Sequence, residues 1–200
     1  MDKIQEILKD IKSGKPVIVV DNLDRENEGD IVIAAEMANK DNILFAMRYA
    51  GGLMCLPCDG KILDRLKIPM MYSNNLDKFS TPFAVSIDSS AGDTGVSLND
   101  RLKTIDVLLR DDSVNSDLLI PGHLFPLRPR EGLLLERQGH TESSIELMKL
   151  AGLKRIAIIV EIVNDDGSMA KGADLEKYAQ KHNLKIISVP EIYEAVYGCK

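Results

Sequence analysis

Apolar residues recur along the chain in two periods, which together predict alternating helices and strands. Isoleucine and leucine return every three or four positions between residues 4 and 11, which favours a helix ending near Gly14. Short runs of β-branched and other apolar residues favour buried strands. The predicted strands are VIVV (17–20), IVIAAE (31–36), LMCLP (53–57), FAVSID (83–88), GLLLE (132–136), RIAIIVEIV (155–163) and KIISV (185–189).

Further helices are predicted between these strands. Ser97 and Asp100 have the spacing of a capping box, which opens a helix that runs toward Arg110. The other predicted helices cover 41–50, 141–152 and 173–183. About seven strands interleaved with about six helices indicate an α/β (α+β-like) fold, a three-layer α-β-α single domain over residues 1–200. Only ten polar residues separate the first two strands, too few for a crossover helix, so we expect a mixed, twisted sheet.

Composition and charge narrow the class of protein. The chain has 200 residues, a net charge of −6 and a pI near 5.2, which argues against a nucleic-acid surface. No apolar run is long enough to span a membrane, and the N-terminal residues lack the pattern of a signal peptide. Three cysteines are too few for a disulfide framework. We therefore expect a soluble, cytoplasmic protein with no membrane partner.

The stretch DNLDRENEGD (21–30) crowds five carboxylates around Arg25. An EF-hand is excluded, because its twelfth position would be Ala35 and its flanks are predicted strands. A solvated acidic turn remains one interpretation. The alternative is a site for a hard cation or a sugar hydroxyl, which the position at the end of a buried strand favours.

A second polar cluster, RQGHTESS (137–144), lies where a predicted strand turns into a helix. Free backbone N–H groups and the helix dipole at such a turn suit a phosphate, and Thr141 is a candidate cap. Arg137 adds a cation, and His140 adds an imidazole that could bind a metal. The alternative is an ordinary capped helix with a surface histidine.

Four other features carry weaker signals. His123 lies in the Pro- and Gly-rich segment PGHLFPLRP, which we predict to be a loop, where a histidine is usually just exposed. Glu161 interrupts an apolar strand, so it is either a buried carboxylate suited to proton transfer or a strand-end residue that reaches solvent. CLPC (55–58) lacks the second cysteine pair of a zinc site, so the motif favours two small buried residues; the alternative is that one of the two thiols lies in a site. His182 is expected on the surface near a helix C-terminus.

Five motifs occur in order along nearly the whole chain: DRENEGD (24–30), TGVSLNDR (94–101), PGHLFPL (121–127), RQGHTE (137–142) and EIVNDDGSMAK (161–171). Acidic loops are common, but RENEGD followed by GHTE more than a hundred residues later is specific. On these motifs the chain closely resembles the 3,4-dihydroxy-2-butanone 4-phosphate synthase family of riboflavin biosynthesis.

The resemblance implies a lyase that converts D-ribulose 5-phosphate to L-3,4-dihydroxy-2-butanone 4-phosphate and formate through an enediolate. It implies Mg²⁺ (or Mn²⁺) and no organic cofactor, with Glu26 and His140 as metal ligands. It also implies a homodimer with the active site near the interface. The implied catalytic residues are Asp30, His123 and Glu161, and Asp21, Cys55 and Thr94 match pocket positions. The implied substrate-binding residues are Arg25, Glu26, Asp30, Arg137, Gln138, Gly139, His140, Thr141 and Glu161.

The sequence departs from the family pattern at Asn22 and Leu23, where acids are usual, and at Cys58 and Asp93. No metal ligand is affected. We expect no GTP-cyclohydrolase domain, which many relatives carry after this one. A metal-dependent sugar-phosphate isomerase or aldolase, and a non-catalytic anion-binding module, remain as alternatives. The sequence leaves open which carboxylate, Glu28, Asp30 or Glu161, moves which proton.

Overall fold

A single sheet of seven strands organises the computed structural model, which describes residues 2–198. The strands are β1 (Val17–Val20), β2 (Gly29–Ala34), β3 (Cys55–Pro57), β4 (Ile87–Ser89), β5 (Leu118–Leu127), β6 (Ala157–Glu161) and β7 (Ile186–Ser188). They follow the order β4-β5-β3-β6-β2-β1-β7 across the sheet. The seven-stranded prediction is confirmed.

Strand directions are mixed, as the short acidic connection predicted. β1 and β2 pair antiparallel through a tight loop rather than a crossover. β2 with β6, β3 with β6, and β4 with β5 are also antiparallel, whereas β1 with β7 and β3 with β5 are parallel. The connection is eight residues long (21–28), and a crossover to a parallel strand needs roughly a dozen or more, so the local spacing determined this part of the topology.

Helices cover both faces of the sheet and give the predicted three layers. The helices are α1 (Lys3–Lys12), α2 (Lys40–Tyr49), α3 (Gly60–Arg65), α4 (Leu98–Leu109), α5 (His140–Ala151), α6 (Ala173–His182) and α7 (Val189–Tyr197). Alternate residues of each strand point to opposite faces, so Val32 packs toward α1, α5 and α7, and its neighbour Ile31 packs toward α2, α3, α4 and α6. Within residues 2–198 no helix is long and apolar enough to cross a membrane.

Two predictions about strands are wrong. GLLLE forms a 3-10 turn at Leu133–Leu135 instead of a strand; Leu133 has φ of 50° and Leu135 is exposed. The segment that holds His123 is not a loop but most of β5. A short apolar run does not distinguish a strand from a turn, and proline and glycine disfavour strand assignment. Pro121 and Gly122 lie where the pairing of β5 with β4 is irregular, between Leu119 and Leu124, whereas Pro126 is paired with Leu56 of β3.

Other boundaries differ more modestly. The strand predicted over 31–36 begins two residues earlier and ends at Ala34, where a 3-10 turn (Ala35–Met37) follows. The short helix α3 was not predicted, and neither was α7, which begins directly after β7 at a capping box formed by Ser188 and Glu191. The predicted Ser97 cap is confirmed, since its hydroxyl accepts a hydrogen bond from the Asp100 backbone N–H.

Candidate active site

A cleft of about 300 Å³ opens at the ends of β2 and β6, on the face of the sheet that α5 covers. Its wall combines charged residues from the acidic loop, the two strands and the beginning of α5 with aromatic and apolar residues. The charged and histidine side chains that line it are Arg25, Glu26, Glu28, Asp30, Arg137, His140 and Glu161. All of them belong to the two polar clusters or to the strand carboxylate identified in the sequence.

The acidic loop folds around the carboxylate of Asp21, which is fully buried. Its Oδ2 accepts hydrogen bonds from Arg25 Nη1 at 2.7 Å and from the Glu26 backbone N–H at 3.2 Å. Its Oδ1 accepts from the Glu28 backbone N–H at 2.9 Å. Asn27 adopts a left-handed conformation with φ of 53°, which asparagine tolerates better than most residues. One carboxylate therefore holds the others in a fixed turn.

His140 lies between carboxylates of this loop and of β2. Its Nδ1 is 3.8 Å from Glu26 Oε2 and 3.7 Å from Asp30 Oδ1. Burial lowers the pKa of His140, and the negative charges of Asp21 and Glu26 oppose that shift. The neutral imidazole that burial favours has a lone pair available for a ligand.

The donor atoms fit a divalent cation. Asp21, Glu26 and His140 each contribute one ligand atom, and these atoms lie within 4.8 Å of one another. Beside them, His140 Nε2 and Asp30 Oδ1 are buried and have no hydrogen-bond partner within the described part of the chain. Buried polar atoms are rarely left unpaired, and carboxylate oxygens with an imidazole suit Mg²⁺ or Mn²⁺. The family resemblance implies Asp21 only as a pocket residue. Its place beside the proposed ligands depends on hydrogen bonds across the loop, which the sequence does not reveal.

Asp30 and Glu161 are directly paired across β2 and β6. Burial raises the pKa of Asp30 well above its ordinary value, and the charges of Glu161 and Glu26 raise it further. Glu161 is half-buried, and its Oε2 accepts a hydrogen bond from the Leu53 backbone N–H at 2.7 Å. Glu161 thus has features of both interpretations: it is the last residue of β6 and partly exposed, and its carboxylate lines the cleft.

Two guanidinium groups meet at the start of α5. An added Cβ at Gly139 would lie 2.5 Å from Arg137 Nη1 and 3.1 Å from Arg25 Nη2, so the missing side chain lets both cations approach. Arg137 is fixed by Glu142 Oε2 at 2.6 Å and by the Phe79 carbonyl at 3.1 Å. The helix N-terminus and both cations favour an anion in this part of the cleft.

Two details of this cluster differ from the sequence analysis. Thr141 does not cap α5; it is buried within the first turn, and Gly139 is the N-cap residue. Gln138 is exposed and does not line the cleft, and its Oε1 accepts a hydrogen bond from Asn22 Nδ2 at 3.4 Å. A strand-to-helix turn alone does not reveal which residue of the turn points inward.

His123 lies outside the cleft. Cys55 on β3 pairs with Phe125 on β5 and with Ile159 on β6. Cys55, Phe125 and Ile159 therefore lie in one row across the three strands. His123 is two residues before Phe125, and Glu161 is two residues after Ile159. The strand directions put both residues toward the same end and on the same face of the sheet. Two strand spacings, roughly 10 Å, therefore separate their backbones. The side chain of His123 is 50% exposed, so it is open to groups that approach from outside.

The remaining candidates divide between the cleft, the core and the surface. Cys55 lines the cleft, and burial followed by the charges of Glu161 and Asp30 raises the pKa of its thiol. Cys58 is a core residue, as the small-residue interpretation predicted. Thr94 is exposed in the turn before α4. His182 ends α6 but is half-buried among aromatic rings instead of lying freely on the surface. Cys199 lies outside the described residues.

Comparison with known proteins gives a consistent relationship. The family model for 3,4-dihydroxy-2-butanone 4-phosphate synthase matches residues 5–195. A protein of that name from Photobacterium phosphoreum is 44% identical over 191 residues, which cover 95% of this chain and 53% of the relative. The monofunctional riboflavin biosynthesis protein RIBA 2, chloroplastic, of Arabidopsis thaliana is 45% identical over 192 residues, which cover 94% of this chain and 40% of the relative. The chain thus spans about half the length of the curated relatives it matches.

A solved structure extends the match to the fold. A 3,4-dihydroxy-2-butanone 4-phosphate synthase in complex with two magnesium ions superposes with a TM-score of 0.93 at 33% identity, covering 100% of this chain and 98% of that chain. The family model spans the acidic loop, the strand carboxylates and the start of α5. The chain therefore belongs to the 3,4-dihydroxy-2-butanone 4-phosphate synthase family.

Proposed function

We propose that this chain is a cytoplasmic enzyme that converts D-ribulose 5-phosphate to L-3,4-dihydroxy-2-butanone 4-phosphate and formate, with Mg²⁺ or Mn²⁺ and no organic cofactor. The observation that carries the proposal is the meeting, in one cleft, of the ligand cluster around His140 with the paired carboxylates Asp30 and Glu161. Membership of the family supplies the reaction to which this combination is suited.

Glu26 and His140 would hold the metal ion, and Asp21 lies close enough to join them. A cation bound there supplies Lewis-acid stabilisation for the negative charge that develops on sugar oxygens. Asp21 has a second task, because its hydrogen bonds to the loop backbone keep Glu26 turned toward His140. The chain thereby orients a ligand before substrate arrives, which reduces the cost of reorganisation.

Asp30 and Glu161 are the groups placed to move protons. Forming an enediolate requires removal of a proton next to the ketone, and later steps return protons to other carbons and oxygens. Asp30 is buried beside the proposed metal ligands, and Glu161 is anchored through one oxygen by the Leu53 N–H. Burial and the neighbouring negative charges raise the pKa of Asp30, which suits a group that exchanges a proton, and Glu161 on the paired strand supplies a second carboxylate.

The start of α5 would hold the phosphate. Arg25 and Arg137 flank Gly139, and the free N–H groups of the first turn point out of the helix. Fixation by Glu142 and the Phe79 carbonyl leaves Arg137 preorganised instead of mobile. The phosphate is remote from the reacting carbons, so its binding energy serves orientation. Gln138, which the family resemblance also implies as a substrate contact, does not line the cleft wall.

His123 enters the proposal through a homodimer. It does not line the cleft of its own chain, and its side chain is half exposed on an open end of the sheet. Exposed apolar side chains accompany it on β5, at Leu119 and Ile120. A second copy that covers this surface would bring His123 to a cleft near the interface, which agrees with the active-site location that the family resemblance implies.

The decisive experiment follows formate. Purified protein is incubated with ribulose 5-phosphate and Mg²⁺, and formate and the four-carbon phosphate are measured with and without EDTA. We expect equal amounts of both products and their loss with EDTA. Isomerised pentose without formate would instead assign the cleft to an isomerase, and binding without turnover would assign it to an anion-binding module.

A matched pair of variants connects the reaction to the cleft. In Glu161→Gln the amide oxygen can still accept the Leu53 N–H, so the fold should be retained while proton transfer is lost. We expect turnover to fall by about 10²-fold or more. Glu131→Gln, at an exposed glutamate outside the cleft, should leave formate production unchanged.

A further inference from the structure

We propose that Asp88 is a positioning residue for His123: its buried carboxylate fixes the imidazole in the tautomer that carries hydrogen on Nδ1 and leaves Nε2 free for proton transfer. The inference rests on the proposed function, because that function assigns His123 to the reaction. Asp88 itself does not contact the cleft and would act only through the histidine.

The geometry of the pair is bidentate. The His123 backbone N–H donates to Asp88 Oδ1 at 3.0 Å, and the ring Nδ1 lies 2.6 Å from Asp88 Oδ2. An ionised carboxylate only accepts hydrogen bonds, so the ring must donate from Nδ1. In the neutral ring the proton is then absent from Nε2, which becomes the basic nitrogen. One carboxylate thus fixes both the position and the tautomer of one histidine.

Burial and close packing hold the carboxylate in place. Asp88 is only 6% exposed, although the ring that it holds is half exposed. Gly95, with φ of 80°, passes directly over the pair, and a Cβ there would overlap the Asp88 carboxylate and lie 2.7 Å from His123 Nδ1. On the other side, a Cβ at Gly122 would overlap the Ile87 backbone. The backbone approaches the pair more closely than a side chain would permit.

A merely structural carboxylate in the same neighbourhood has different partners. Asp100 is equally buried, at 4% exposure, but it accepts from the Ser97 hydroxyl and the Asp93 backbone N–H and thereby organises the start of α4. Both side-chain hydrogen bonds of Asp88 within residues 2–198 go to His123. Asp100→Asn is therefore a matched control for the loss of one buried charge near this turn.

The bidentate contact makes the effect of an asparagine specific. In Asp88→Asn only one side-chain atom remains an acceptor, and the backbone N–H of His123 can only donate. The amide oxygen must face that N–H, so the NH₂ group faces the ring. Nδ1 then has to accept, and the proton moves to Nε2. The substitution inverts the tautomer with little change in shape, as happens when the aspartate of a serine-protease triad is replaced by asparagine.

The experiment combines kinetics with imidazole NMR on the full chain. The chain has three histidines, so ¹⁵N signals of the rings can be assigned with His123→Ala and His182→Gln variants. We expect wild type to show a protonated Nδ1 at His123 and Asp88→Asn to show a protonated Nε2. With ribulose 5-phosphate and Mg²⁺, kcat of Asp88→Asn should fall by about 10²-fold or more while KM changes by less than about threefold.

The double variant tests whether Asp88 acts through the histidine. Asp88→Asn combined with His123→Ala should be no slower than His123→Ala alone, because residues that act as a unit are not additive. Asp100→Asn should keep the wild-type tautomer and a kcat within about threefold of wild type. Asp88→Ala releases the ring without inverting its tautomer, so it should show both tautomers and a smaller loss of kcat than Asp88→Asn. If Asp88→Asn does not fold, Asp88→Ala takes its place in the test.

The outcomes separate this inference from the proposed function. If His123→Ala loses turnover but a folded Asp88→Asn with an inverted ring does not, the positioning role is wrong and the proposed function stands. An additional loss in the double variant, or an unchanged tautomer in Asp88→Asn, would also overturn the positioning role. If His123→Ala turns over normally, the proposed role of His123 is itself wrong.

Discussion

Two histidines on the same face of the sheet have opposite surroundings. His140 is buried, with 7% of its side chain exposed, and its Nδ1 lies 3.7–3.8 Å from two carboxylates. Its Nε2 has no hydrogen-bond partner within residues 2–198. His123 is half exposed and is held at 2.6 Å by one buried carboxylate. A ring among several carboxylates suits a cation, whereas a ring with one nitrogen fixed and the other open suits proton transfer.

The two regions also differ in how the chain constructs them. The surroundings of His140 come from three distant segments, namely the acidic loop, β6 and the start of α5. The surroundings of His123 come from neighbouring strands and the turn that carries Gly95. One chain therefore supplies all the surroundings of His140 described above. The half-exposed ring of His123 instead presents its Nε2 to a group from outside the chain, such as a second subunit.

The largest effect is expected where the cation would bind. His140→Ala or Glu26→Gln removes a proposed ligand, so Mg²⁺ binding measured by calorimetry should become undetectable and formate production should fall by roughly 10³-fold. Glu36→Gln, at an exposed glutamate that accepts the Lys154 N–H, is the control and should bind Mg²⁺ normally. Normal Mg²⁺ affinity in both cleft variants would exclude the proposed ligand set.

A recovery of activity tests whether the two histidines serve one site across an interface. His140→Ala and His123→Ala chains are each expected to be inactive, but a mixed dimer of the two would contain one intact site. Random exchange makes about half the dimers mixed, so roughly a quarter of wild-type formate production should return. Each variant alone, exchanged under identical conditions, is the control. No recovery despite subunit exchange would mean that each chain uses its own His123.

The sheet and its mixed strand directions could be predicted from the sequence, but only part of the candidate site could. The β-branched runs of β1 and β6 and the short acidic connection identified the sheet and its mixed directions, because these depend on local pattern. β5 was missed because Pro121, Gly122 and Pro126 disfavour a strand locally, and pairing with β4 and β3 outweighs that preference.

Long-range contacts account for what was missed in the site. Family resemblance, not spacing, connected Glu26 with His140 across more than a hundred residues. The roles of Asp21 and Asp88 depend on hydrogen bonds that the chain makes only once folded. One signal for Asp88 was available in the sequence. It ends the apolar strand FAVSID, and a polar residue that is buried at such a position usually has a hydrogen-bond partner.

A smaller effect is expected at the proposed phosphate end of the cleft. Gly139→Ala adds a Cβ that would lie 2.5 Å from Arg137 Nη1, so the guanidinium must move and phosphate binding should weaken. We expect KM for ribulose 5-phosphate to rise about tenfold with a smaller change in kcat. Gly60→Ala provides a matched control, because its Cβ would lie 2.9 Å from Arg128 Nη2 outside the cleft. A similar rise of KM in both variants would contradict the assignment.

The smallest effect on turnover is expected at the third histidine. His182 packs against Tyr178, Tyr49 and Phe45, with ring centroids 4.5–5.2 Å away, and lies outside the cleft. His182→Gln should change formate production by less than about twofold and lower Tm by about 2–4 °C, since such aromatic contacts contribute about 1 kcal/mol. A tenfold loss of turnover would contradict the division of the three histidines into two functional residues and one structural residue.

The pH dependence of this Tm difference gives a sharper test of His182. Burial, and then the charge of Lys181, lower the pKa of His182 in the folded protein, so its contribution to stability is present above about pH 6.5 and is lost as the pH falls further. Glutamine does not titrate. The Tm difference between wild type and His182→Gln should therefore narrow between pH 7.5 and roughly pH 5. A difference that widens toward acid pH would mean that the aromatic rings stabilise the charged imidazole instead, as in a cation–π contact.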